Sequence, residues 1–199
     1  MNRILKLVLV PMAFALALSA ASPASAGEAQ DYMQARQTEL NAVLRTPASP
    51  ARTQKVAAML DAMFDYDKLA RDSLGRHAEG RSEDEMKEFT GLLKQLVRKA
   101  YQKNIEKTLN YQVSWLGEEG GGDAAVIKTT AKSTKPGSNQ EEISIVYKLH
   151  KKDGKWAVGD VVTEQSSLVN TYRNQFNRTI NKDGWNGLIT KLKNKAGQR

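Results

Sequence analysis

The stretch 153-DGKWAVGDVVTEQSSLVNTYRNQF-176 carries three structural signals in a row. Asp153-Gly154 is a hairpin dipeptide, since both residue types accept the positive φ that a two-residue turn demands. Trp156 to Thr163, with Val158, Val161 and Val162, reads as a strand. From Ser167 the period changes: Tyr172 and Phe176 stand four apart and share a helix face, in a helix expected to run to about Ile180. Ser166 or Ser167 is placed to cap it. A hairpin that feeds a strand, followed at once by a helix, sets the frame for the rest of the chain.

Upstream of that stretch the pattern alternates. Ile143, Ile145, Tyr147 and Leu149 interleave with Glu142, Ser144 and Lys148, a strand with one drier and one wetter face. Lys135-Pro136-Gly137-Ser138 is a turn, with Pro presetting one backbone angle and Gly accepting a positive one. Ala124 to Thr134 reads as another strand, Glu118 to Gly122 as a flexible turn, and Tyr111 to Trp115 as the first strand. Downstream, a second helix is expected over Trp185 to Asn194 after Asp183-Gly184, and Lys195 to Arg199 as a frayed end.

Before Tyr111 the period is helical. Glu28 to Thr46 and a helix from about Ala51 are separated by Pro47 and Pro50, and Asp65 to Arg71 forms a short helical piece that Gly75 ends. Ser82-Glu83-Asp84-Glu85 is a capping box, in which hydroxyl and carboxylate each satisfy a free backbone N–H. Met86, Phe89, Leu93, Leu96, Val97, Ala100 and Tyr101 then recur at spacings of three and four, predicting a long amphipathic helix to about Leu109. Helices, then a meander, then helices describe an α+β domain. About four strands should curl against several helices and enclose an apolar pocket, as in a cone-shaped (NTF2-like) fold.

The first 26 residues carry a secretion signal: Arg3 and Lys6, an apolar run from Leu7 to Ala21, and Ala24-Ser25-Ala26 for cleavage. The run is shorter than the roughly 20 residues of a spanning helix. Cleavage leaves about 173 residues, enough for one ordinary domain with a real core (27–199), unanchored and exported. With no Cys, disulfides, thiolate metal sites and thiol nucleophiles are excluded. Loss of Arg3 and Lys6 lowers the net charge from +8 to +6. That excess suits anionic lipid headgroups, an acidic partner or plain solubility. No basic-aromatic stripe points to nucleic acid.

In order and spacing, these pieces resemble the MlaC / toluene-tolerance family. The resemblance is carried by Phe64-Asp65-Tyr66-Asp67-x-Leu69-Ala70-Arg71 with Leu74-Gly75-Arg76-His77, and by Phe89-x-x-Leu92-Leu93 with Leu96-Val97-Arg98. It continues through Tyr147-Lys148-Leu149, Asp153-Gly154-x-Trp156-x-Val158, Asp160-Val161-Val162-x-Glu164 and Gly184-x-x-Gly187-Leu188-Ile189. Two positions depart from the family habit: Ala78, where an aromatic is common, and Gln165, where Gly often follows the Glu. The resemblance implies a periplasmic carrier that moves phospholipid between an outer-membrane lipoprotein complex and an inner-membrane ABC transporter. Such a carrier maintains outer-membrane asymmetry with no cofactor and no reaction.

Candidates for a lipid-facing wall are Leu93, Val97 and Tyr101 on the long helix, and Val113, Ile127, Ile145, Tyr147 and Trp156 on the strands. Leu168, Tyr172 and Phe176 join them from the helix that follows. The same residue types build an ordinary core, and spacing does not separate the two. Lys128 and Arg173 are candidates for the mouth, where a cation attracts phosphate. Three other functions stay open: a carrier of another lipid such as a hopanoid, which also fits the resemblance, an adaptor without cargo, and an enzyme on a cone-shaped fold. The enzyme would draw its acid or base from Asp160 or Glu164. No metal site is expected. Asp65 and Asp67 read as solvated charges on different helix faces, and His77 and His150 stand alone in separate elements.

Overall fold

The computed structural model describes residues 27–102, 105–136 and 142–197. The secretion signal, Gly137-Ser138 of the expected turn and the last two residues lie outside them. Five helices, α1 (Glu28–Leu44), α2 (Pro50–Met63), α3 (Tyr66–Leu74), α4 (Glu83–Gln102) and α5 (Leu168–Gly197), pack against one antiparallel sheet. Its strands are β1 (Tyr111–Gly121), β2 (Ala124–Ser133), β3 (Ile143–Lys152), β4 (Lys155–Thr163) and the two-residue β5 (Ser166–Ser167), in spatial order β1-β2-β3-β4-β5. The expected α+β class with a curled sheet is what forms; the sheet is unclosed and gains a fifth, two-residue strand, β5, beyond the four expected. Among the described residues no helix is long and apolar enough to cross a membrane.

Local chemistry sets the helix ends. Ser49 accepts from the Arg52 N–H at 3.1 Å, with Pro50 opening α2. Ser82 and Glu85 close the capping box at 3.2 and 2.9 Å. Gly75, at φ 55°, ends α3. Gly184, at φ 71°, breaks α5 where two helices were expected, but the second piece continues to Gly197 rather than fraying from Lys195. The long helix is described to Gln102, and from Ile105 the chain is no longer α-helical, short of the expected Leu109. Ile105–Asn110 is a 3₁₀ turn instead, in which the Thr108 hydroxyl and Asn110 amide bond back to carbonyls three residues earlier.

The sheet curls at two bulges. Leu116 is the extra residue on β1, and Gly159 the extra residue on β4. Expected as a flexible turn, Gly120-Gly121 proves to belong to β1 and pairs with Ala125 and Ala124. A Cβ on Gly120 would lie 2.7 Å from the Ala124 carbonyl, so the close strand approach itself demands glycine. Asp153 and Gly154, at φ 51° and 75°, make the two-residue turn their sequence predicts.

One packed core lies among α3, α4 and α5. Phe89 and Phe176 meet edge to face with centroids 5.3 Å apart, and Phe176 stacks on Tyr172 at 5.3 Å. Leu69, Leu74, Leu93, Val97 and Leu188 fill the space around them. Phe64 bridges helices to sheet through Val158, and the Asp65 N–H donates to the Val158 carbonyl at 3.0 Å.

Candidate binding cavity

A second interior region is not filled. An open cavity of about 630 Å³ lies between α1, α2, the end of α4 and the concave face of the sheet, a volume within the usual range for ligand sites, roughly 300–1,000 Å³. Strand alternation builds its floor. Val113 and Trp115 on β1, Ile145 and Tyr147 on β3, and Val161 and Thr163 on β4 point inward. The extra residue Gly159 shifts the parity of β4, so Val158 also faces in. On β2 the inward residues are small at the matching level: Ala131 sits between Val113 and Ile143, and Thr129 between Trp115 and Ile145. Large neighbours around small central residues leave a hollow.

The helical wall comes from Met33, Gln37, Leu40 and Asn41 on α1, at spacings of four, three and one. Leu60, Met63, Phe64, Ala100 and Tyr101 complete it, and Leu168 closes it where α5 begins. Arg52, outside the lining, ties the end of α1 to the 3₁₀ turn: it donates to the Leu44 and Thr46 carbonyls at 3.0 and 2.7 Å and pairs with Glu106. Burial pushes the Tyr101 phenol well above its ordinary pKa, reinforced by the nearby Tyr147, Tyr172 and Asp160. Burial also raises Tyr147. Both phenols therefore face the cavity uncharged.

Of the wall candidates, Tyr101, Val113, Ile145, Tyr147 and Leu168 line this cavity. Leu93, Val97, Tyr172 and Phe176 pack in the helical core instead, because the faces they occupy on α4 and α5 meet other helices before they meet the sheet. Ile127 is fully buried on β2 beyond the small residues that leave the hollow. Trp156 is half-buried with the Lys151 ammonium 5.1 Å from its ring centre. Lys128 points away from the cavity and pairs with Glu119. Arg173 donates to the Asp72 carbonyl at 2.9 and 2.7 Å, capping the end of α3 rather than the mouth. The α1 contribution was missed because its cavity stripe is half polar and so lacks an amphipathic signature.

The isolated-charge readings need correction. Asp65 is buried, not solvated. One oxygen accepts from the Asp67 and Lys68 N–H groups at 3.1 Å and from Lys152 at 3.0 Å, and the other contacts His150 Nε2 at 2.9 Å. Burial alone would raise this carboxyl; the Lys68 N–H, His150 and Lys152 outweigh it and hold the pKa below its ordinary value. Neither histidine is alone, since His77 Nε2 lies 2.8 Å from Asn177 Oδ1. Asp160 lies off the cavity, accepting from Ser167 Oγ at 2.8 Å and the Val169 N–H at 3.1 Å, which caps α5. Glu164 accepts from the Ser144 N–H at 2.7 Å. No cluster of His, Asp and Glu suited to a metal ion occurs among the described residues.

A family model described as MlaC protein matches residues 33–194. Among solved structures, the chain is similar to a phospholipid-binding protein from Ralstonia solanacearum, solved in complex with a phospholipid. The TM-score is 0.72 at 21% identity, covering 86% of this chain and 98% of that one, a likeness of fold. No curated protein sequence matches.

Proposed function

The chain belongs to the MlaC protein family, and from that premise we propose that it is a non-catalytic phospholipid carrier. The observation that carries the reading is the apolar hollow of about 630 Å³ under the helices. An acyl chain moved from water into such a hollow gains about 0.8 kcal/mol per CH₂. The floor phenols stay neutral and most of the wall is aliphatic or aromatic, so an acyl chain meets mainly apolar side chains there. The structure solved with a phospholipid has the same fold, which supports the choice of cargo. In the proposed cycle the protein is exported after cleavage near Ala26 and works in the periplasm. There it would take lipid from one membrane complex and yield it to another, an outer-membrane lipoprotein complex and an inner-membrane ABC transporter, so preserving outer-membrane asymmetry.

Filling the hollow tests the reading. Ala131 is buried and lines the cavity between Val113 and Ile143. Ala131→Trp should fold and abolish phospholipid uptake from phosphatidylglycerol-containing vesicles, while Leu116→Ala, at an exposed bulge, should leave uptake unchanged. A folded Ala131→Trp protein that loads lipid like the parent would contradict the assignment of this cavity.

A further inference from the structure

We infer that Lys107 anchors a phosphate subsite at the rim of this cavity, so that the cargo sits tail-inward with its phosphate held between α1 and the 3₁₀ turn. The inference rests on the carrier reading and adds what it lacks, a place for the headgroup. Among the described residues that line the cavity, Lys107 carries the only formal charge. It lies on the Ile105–Asn110 turn, which packs against α1. From α1, Gln37 and Asn41 reach the same lining one helical turn apart, bringing two amide groups to that side. Phe64, Tyr101, Val158 and Leu168 line it elsewhere without charge. An apolar hollow whose lining carries one cation and two amides has the polarity of an amphiphile with an anionic head. Lys107 is exposed, so it meets the head while the head stays in water. Lys128 and Arg173 lie outside the lining, against Glu119 and the Asp72 carbonyl. A lysine binds phosphate as a point charge, without the geometric demand of an arginine fork.

The test measures binding of three probes to the delipidated mature protein by calorimetry, with Trp115 in the lining as a fluorescent reporter. The probes are 1-palmitoyl lysophosphatidylglycerol, monopalmitoylglycerol with the same chain and no phosphate, and inorganic phosphate alone. The parent should prefer the phosphate-bearing lipid by about fivefold, the upper end for an exposed ion pair, and the preference should shrink in 1 M salt. Lys107→Gln should remove the preference by weakening only that lipid, Lys107→Arg should keep it, and inorganic phosphate alone should not bind measurably at millimolar concentration. Equal weakening of both lipids in Lys107→Gln, an intact preference in that variant, or inorganic phosphate bound as well as the lipid would each overturn the subsite. Equal binding of both lipids to the parent would remove the subsite and leave the carrier standing. If neither lipid bound the parent, carrier and subsite would fall together.

Discussion

At the scale of single residues, Asp65 joins helix to sheet. It caps α3, receives Lys152 and His150 from β3, and is almost wholly covered. Removing its charge leaves Lys152 and His150 facing a weaker acceptor, at a cost of about 2 kcal/mol, while Asn keeps an oxygen to cap α3. Asp65→Asn should therefore lower stability by that order near pH 7. Because the folded pKa lies below the unfolded value of roughly 3.9, the carboxylate's contribution is complete above that value and is lost as pH falls through the folded pKa. Urea unfolding of parent and variant should accordingly show a gap that holds at pH 6 and closes below about pH 4; a gap constant down to pH 2 would contradict the ion-pair account. None of this was legible in the sequence. Asp65 and His150 are 85 positions apart, and nothing local marks them as partners.

Elements were more legible than contacts, for a reason visible in particular turns. Asp153-Gly154 and the Ser82–Glu85 box are made by neighbours in the chain, and both form as their residue types require. Gly120 was misread as part of a turn because its need for glycine comes from the facing Ala124 carbonyl, a tertiary fact. The β4–β5 turn has the opposite character. Glu164 and Gln165 both have positive φ, 47° and 65°, although neither is glycine. A left-handed conformation costs a residue with a Cβ roughly 1–2 kcal/mol, and glycine returns part of that relief as unfolded-state entropy. Gln165→Gly, which restores the residue the family often carries, should stabilise the protein by about 0.5–1 kcal/mol and raise Tm by about 2 °C. Calorimetric scans would show it, and an unchanged or lower Tm would mean the turn is not strained. Glu164 should be retained, since its carboxylate extends the ladder through the Ser144 N–H.

For the whole molecule, the fold divides its apolar residues between a filled core and an unfilled cavity, and the difference lies in which surfaces meet. Tyr172 and Phe176 have the same chemistry as Tyr147 and Ile145, yet the first pair faces α3 and α4 while the second faces the hollow over Ala131 and Thr129. Periodicity reports which face of an element is apolar. It is silent on whether the opposing face arrives with enough side-chain volume to fill the gap, and here the small β2 residues and the Gly159 bulge decide that. Five of the eleven proposed wall residues line the cavity, and the α1 lining was not foreseen. The central claim is that this hollow holds lipid. Native mass spectrometry of the mature protein from its exported fraction, followed by denaturing extraction, addresses it most directly. A stoichiometric adduct that releases an intact phospholipid is expected. A bare protein from gently handled material, which also took up no lipid from phosphatidylglycerol vesicles, would contradict it.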